Sequence, residues 1–144
     1  MRCVDVNVLV YAHRKDVQDH DSFRSWLEEA RGADEPLGLI DQVLTGFVRV
    51  VTHPRVFATP TPLDAALDAV DRLRESPSAV SVGPGRRHRE IFGRVARDAD
   101  ARGSLVHDAF LAAIAIEHGA TFVTTDRDFA RFSGLRWRHP LAGG

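Results

Sequence analysis

Apolar and polar positions fall into blocks along this chain, and the spacing inside each block predicts its element. Residues 3–12 are an apolar run carrying one charge, Asp5. The β-branched Val4 and Val6 predict a buried strand that ends near Asp5 and Asn7, where the run turns into a helix. Phe23, Trp26, Leu27 and Ala30 recur at helical spacing and predict a helix over 17–31, stopped by Gly32. A short strand over 37–40 and a helix over 43–51 follow, the helix ended by His53-Pro54. Thr61-Pro62 reads as a capping threonine with proline at the first helical position, opening a helix to about residue 74.

The second half repeats the alternation. Residues 79–82 predict a strand, and Gly83-Pro84-Gly85 breaks the chain. A helix is predicted over 86–102 with Ile91, Phe92 and Val95 as its apolar stripe, ended by Gly103. A strongly apolar helix over 106–118 is closed by Gly119. A strand over 121–125, a short helix over 126–132 and a last strand over 135–137 complete the chain. Strands alternating with helices imply a parallel sheet covered on both faces, a three-layer α/β/α arrangement. The length of 144 residues and the absence of repeats predict one domain over 1–144.

In a parallel sheet, chemistry gathers beyond the carboxyl ends of the strands. Asp5 and Asp126 fall there, with Asp128 two residues on, and Asp108 stands at the predicted start of the 106–118 helix. An aspartate at a helix start also serves as a cap, so Asp108 alone decides little. The combination decides more, because each acid is set among apolar residues. Buried, clustered carboxylates cost several kcal/mol apiece unless positive charge arrives. A divalent cation answers that need, and all-oxygen ligation favours Mg²⁺ or Mn²⁺ over zinc. Hydrolysis of a phosphodiester is the matching chemistry.

Composition narrows the alternatives. One cysteine, Cys3, excludes an internal disulfide and multi-cysteine metal sites, and its valine neighbours predict a buried, inert thiol in a cytosolic protein. The opening residues carry no secretory signal, and the longest apolar stretches fall short of the ~20 residues a membrane span needs. A net charge of −1 argues against a wholly cationic surface, so any nucleic acid is held locally. Lys15 is the only lysine beside eighteen arginines. That opposes a receiver-like or phosphatase domain with Asp5 as phosphoacceptor, a P-loop and Schiff-base chemistry. No two histidines share a helix face at i, i+4, although His107 adjoins Asp108. The arginines at 86, 87, 89, 94, 97 and 102 read as a solvated helix face, with phosphate contact as the sharper alternative.

The residues themselves are recognisable. Val4-Asp5-Val6-Asn7-Val8-Leu9-Val10-Tyr11-Ala12 resembles the opening motif of PIN domains, especially the VapC toxins of bacterial toxin–antitoxin pairs. Phe47-Val48-Arg49-Val50-Val51-Thr52-His53-Pro54 resembles a second block of an actinobacterial VapC subgroup, and Val106-His107-Asp108-Ala109-Phe110 a third. Thr124-Thr125-Asp126-Arg127-Asp128-Phe129, preceded by His118-Gly119-Ala120, is similar to the fourth.

The resemblance implies a four- or five-stranded parallel sheet between helices and a Mg²⁺- or Mn²⁺-dependent endoribonuclease leaving 5′-phosphate and 3′-hydroxyl ends. It makes Asp5, Asp108 and Asp126 catalytic metal ligands, Asp128 an accessory ligand and Asn7 a supporting residue. It also implies a homodimer and a VapB-type antitoxin whose tail lies across the cleft, often placing an arginine among the acids. One position departs: most PIN domains carry a glutamate where this chain has Gly46. That leaves the metal count open, and it admits a second reading as a non-catalytic RNA- or partner-binding module. Asp41 and Glu117 are the substitutes nearest to hand. Asp41 reads as solvated, and Glu117, nine residues beyond Asp108, lies about 180° round the helix and reads as a surface charge.

Overall fold

The computed structural model describes residues 1–142; positions 143 and 144 of the expected domain lie outside the described residues. Strands β1 (Arg2–Val4), β2 (Leu37–Ile40), β3 (Ala79–Val82), β4 (Thr121–Val123) and β5 (Arg136–Arg138) form one parallel sheet in the order β3-β2-β1-β4-β5. Its helices are α1 (Val6–His13), α2 (His20–Gly32), α3 (Asp41–Val51), α4 (Leu63–Arg74), α5 (His88–Asp98) and α6 (Ser104–Glu117). A 3-10 turn, Arg127–Arg131, joins β4 to β5.

The chain winds outward from β1 to β3, then crosses back to β4 and β5. Parallel crossovers are right-handed, so this reversal sends the two sets of helices to opposite faces. In accord, α1 packs on α2 and α3, and α3 on α4, while α5 packs on α6. The three-layer architecture expected from the alternation is therefore present, with the crevice of the reversal between β1 and β4.

The core needs close approach at one point. Cys3 pairs with Gly38 across β1 and β2, and a Cβ on Gly38 would stand 2.7 Å from the Cys3 Sγ. Only glycine fits that register. Cys3 is itself fully buried, and burial pushes its thiol up to about 11, partly offset by the terminal ammonium. It is the inert thiol the sequence predicts. Phe122 and Phe129 pack with ring centroids 4.6 Å apart and bury the underside of the β4 crossover.

Several boundaries differ from expectation. Val6 opens α1 instead of extending the strand, because Asp5 caps the helix one residue earlier. The second helix begins at His20, because Asp19 before it takes a left-handed φ of 62° through which a right-handed helix does not run. Gly32 is the last residue of that helix, and extended Ala33 ends it. Thr61 does not cap α4. Its hydroxyl instead meets Arg14 Nη1 at 3.2 Å and His13 Nε2 at 3.3 Å, and the helix starts at Leu63. The α5 helix is shorter than expected, closing before Asp100, which adopts a left-handed φ of 49°. The last expected strand over 135–137 is shifted by one residue to Arg136–Arg138. Among the described residues, no helix is long and apolar enough to cross a membrane.

Candidate active site

The first acid is positioned by its own helix. Asp5 leaves the carboxyl end of β1 in an extended conformation and caps α1, its Oδ1 accepting from the Val6 amide at 2.7 Å. Its Oδ2 accepts from the Thr124 hydroxyl at 2.7 Å, and Asp5 is only 7% exposed. Thr124, just beyond β4 and fully buried, also accepts from the Asp126 amide at 3.0 Å. A hydroxyl that donates to one partner and accepts from another has its rotor fixed. Thr124 therefore ties the ends of β1 and β4 into one unit.

Asp126 begins the 3-10 turn, and its Oδ1 accepts from the Asp128 amide at 2.9 Å. Asp128 itself is exposed and faces Arg131 at 3.7 Å. It is not on the wall of the cleft, although its charge acts on Asp108.

Asp108 differs from both other acids. The sequence places it at a helix start, but α6 begins at Ser104 behind Gly103, so Asp108 sits one turn inside and caps nothing. It has no hydrogen bond and no ion pair among the described residues. Burial pushes its carboxyl up to about 6, helped by the charges of Asp126, Asp5 and Asp128. Asp5 is pushed above the ordinary carboxylate range as well, chiefly by burial and secondarily by Asp126, against the pull of Thr124, the Val6 amide and His107.

Asp5, Asp108 and Asp126 line one open cleft of about 510 Å³ with Asn7, Gln42, Arg49 and His107. Asn7 Oδ1 is buried without a hydrogen-bond partner among the described residues. An orphaned acceptor beside a carboxylate under repulsion is a donor set short of a cation, and every atom of it is a hard oxygen. The ligand types fit Mg²⁺ or Mn²⁺. As they stand, however, no three acids, histidines or cysteines among the described residues are placed to hold a metal ion together, so a cation would have to draw the acids closer.

The Gly46 position has a steric explanation. A Cβ there would stand 2.9 Å from Val6 Cγ2, so α3 packs directly on the first residue of α1. No substitute acid replaces the missing glutamate: Asp41 is exposed and bonded to Arg74 at 3.0 Å. Glu117 is a surface charge facing away from the cleft, as expected, and it accepts from the Gly85 and Arg87 amides at 2.7 and 2.9 Å. It braces the loop into α5, away from the cleft. The residue that sequence reasoning missed is Thr124. Its only signal was a threonine two places before a strand-end aspartate.

Comparison with known proteins gives the geometry relatives. Residues 2–135 match the family model described as the PIN domain. Ribonuclease VapC43 of Mycobacterium tuberculosis is 54% identical over 143 residues, covering 99% of this chain and 97% of that one. Ribonuclease VapC25 of the same species is 39% identical, covering 97% and 99%. Among solved structures, VapBC2 from Rickettsia felis, bound to a DNA fragment from its promoter, superposes with a TM-score of 0.70 at 18% identity, covering 96% and 97%. The Mycobacterium tuberculosis toxin VapC20, described as cleaving the sarcin–ricin loop, does so at 0.64 and 17%, covering 94% and 99%.

Proposed function

Because this chain belongs to the PIN-domain family, among the VapC ribonucleases, we propose that it is the toxin of a toxin–antitoxin pair and a metal-dependent endoribonuclease. The observation that carries the metal-dependent reading is Asp108: a half-buried carboxylate with no hydrogen bond or ion pair among the described residues, sharing its cleft with two more acids and Asn7. Asp5, Asp108 and Asp126 would hold Mg²⁺ or Mn²⁺, with Asp128 behind them as an accessory acid and Asn7 in support. When bound, such an ion neutralises charge on a phosphodiester and lowers the pKa of a bound water.

The chain's own residues set the stage for that chemistry. Thr124 and the Val6 amide hold Asp5 with both oxygens directed, so its carboxylate cannot rotate away from the cleft. The Asp128 amide does the same for one oxygen of Asp126. Arg49, on the cleft wall beside His107, supplies the positive charge that draws an RNA phosphate toward an otherwise acidic site. An antitoxin of the VapB type is the matching partner, inserting a basic side chain where the cation would sit. The expected assembly is a homodimer acting in the cytosol.

The test is cleavage of total RNA by purified, antitoxin-free protein with Mg²⁺ or Mn²⁺, beside an EDTA control and Asp5→Ala. Discrete fragments with 5′-phosphate ends, absent from both controls, are expected. Folded protein that cleaves nothing with either metal would refute the nuclease and leave a binding module, with Gly46 as its signature.

A further inference from the structure

A second cavity lies across α1 from the acidic cleft, between α1, α2 and α4, with a volume of about 380 Å³. It shares the elements α1 and α3 with the acidic cleft but no lining residue. Its walls include Leu9, Leu27, Phe47 and Leu73, an apolar interior at the lower end of the size range for small-molecule sites. Its rim is cationic. Lys15, Arg24, Arg31 and Arg72 face one acid, Glu28, and Glu28 is already paired with Arg31 at 3.1 Å. Among the described residues, Lys15, Arg24 and Arg72 have no carboxylate partner, in a chain whose net charge is −1. The crowding is felt by His13 on the same wall, which is held below the ordinary histidine range by burial and then by Arg14, Arg72 and His20.

The interior holds one unanswered polar atom. His20 is 8% exposed, and its Nδ1 lies 2.9 Å from the Tyr11 carbonyl. A carbonyl only accepts, so Nδ1 carries a proton, and the tautomer protonated there alone presents Nε2 as an acceptor. Among the described residues, that Nε2 is buried without a partner. The cavity thus asks for an anion at the mouth, an apolar ring in the interior and an N–H or O–H donor within reach of His20.

We propose that this cavity binds a phosphomonoester of the nucleoside monophosphate class. Lys15, Arg24 and Arg72 take the phosphate, the base packs against Leu9, Leu27 and Phe47, and a hydroxyl or amino group of the ligand donates to His20 Nε2. The proposal is independent of the nuclease reading, because it uses none of the acids and needs no metal.

The test is calorimetric titration of the whole protein with adenosine monophosphate in buffer passed over a chelating resin. Stripping divalent ions leaves the acidic cleft repulsive to phosphate and removes it as a competing site. Saturable binding with a Kd of about 1 mM or tighter is expected, weakened at least about tenfold in the exposed-site variants Arg24→Glu and Arg72→Glu. Adenosine and inorganic phosphate, each offering half of the ligand, are each expected to bind at least about tenfold more weakly. Asp108→Asn is expected to bind as the parent does. The proposal falls if no saturable binding appears, if both charge reversals bind like the parent, if phosphate alone binds as well as the nucleotide, or if Asp108→Asn abolishes binding.

Discussion

Replacing Asp108 with asparagine should make the metal-free protein more stable while abolishing its proposed activity. Asparagine keeps the shape, and nothing is lost, since the carboxylate makes no hydrogen bond or ion pair among the described residues. The folded carboxyl titrates at about 6 against an ordinary 3.8, so folding disfavours the charged form. A rise of that size corresponds to roughly 3 kcal/mol, and partial solvent screening of a half-buried group brings the expectation to about 1–2 kcal/mol. The sign follows from linkage. A raised acid pKa penalises the fold at pH above about 6, and the penalty fades as pH falls toward 4, where the folded carboxyl is protonated and the unfolded one half so. Thermal melts in metal-stripped buffer should therefore show Asp108→Asn melting roughly 3–6 °C above the parent at pH 7.5. The gap should nearly close by about pH 4. An asparagine variant that is less stable at pH 7.5, or one whose gain persists unchanged at pH 4, would show that Asp108 is not under electrostatic load.

Thr124→Val keeps the shape but strips partners from Asp5 Oδ2 and the Asp126 amide, at about 1–3 kcal/mol for each group left unsatisfied. Denaturant unfolding should show that loss and RNA cleavage should fall through kcat, with Thr124→Ser restoring both; a fully active valine variant would remove Thr124 from the site. Gly46→Ala puts a methyl 2.9 Å from Val6 Cγ2 and should destabilise by about 1–3 kcal/mol. In a Val6→Ala background the same change should be neutral or stabilising by up to ~1 kcal/mol, through helix propensity alone. An equal cost in both backgrounds would refute the steric account of the glycine. Saturating Mn²⁺ should raise the parent's melting temperature, by about 2.7 kcal/mol at a hundredfold excess over Kd, and do so far less in Asp108→Asn. Equal stabilisation of both would place the cation elsewhere.

The legible parts of the fold were those where local and global forces agree. The strands β2 and β3 were read to the residue because turn-forming or polar residues bracket short apolar runs on both sides. Helix ends were read less well where a side chain prefers a distant partner to its own backbone. Thr61 has every mark of an N-cap, yet its hydroxyl goes to His13 and Arg14, residues forty-eight and forty-seven positions earlier. Asp5 and Asp126 were legible because a strand end in a parallel sheet carries chemistry wherever the chain goes next. Thr124 was not, since its meaning lies in a bond to a residue 119 positions away. Asp108 was found for a partly wrong reason. Its position as a helix opener was an error, and the correction strengthens the case, because a residue one turn inside the helix cannot be explained as a cap.

The three acids of the cleft answer their mutual repulsion unequally, and the inequality has a purpose in physical terms. Asp5 is fixed by an amide and a hydroxyl, and Asp126 by an amide, so both receive hydrogen bonds from the protein. Asp108 receives none among the described residues, so it meets burial and the neighbouring charges without help, whereas Asp5 meets its own burial with two. If all three were fully satisfied by protein donors, a cation would have to displace those bonds and would gain little. If none were, the fold would bear the cost of three strained carboxylates in one crevice. Anchoring two and leaving the third unpaired limits the load, the share of Asp108 being about 1–2 kcal/mol, a tolerable fraction of a domain's stability. It also leaves one carboxylate whose free energy falls only when positive charge enters the cleft, from a metal ion or from a basic side chain of a partner. Both would compete for the same unpaired oxygen atoms, so occupancy by one should exclude the other.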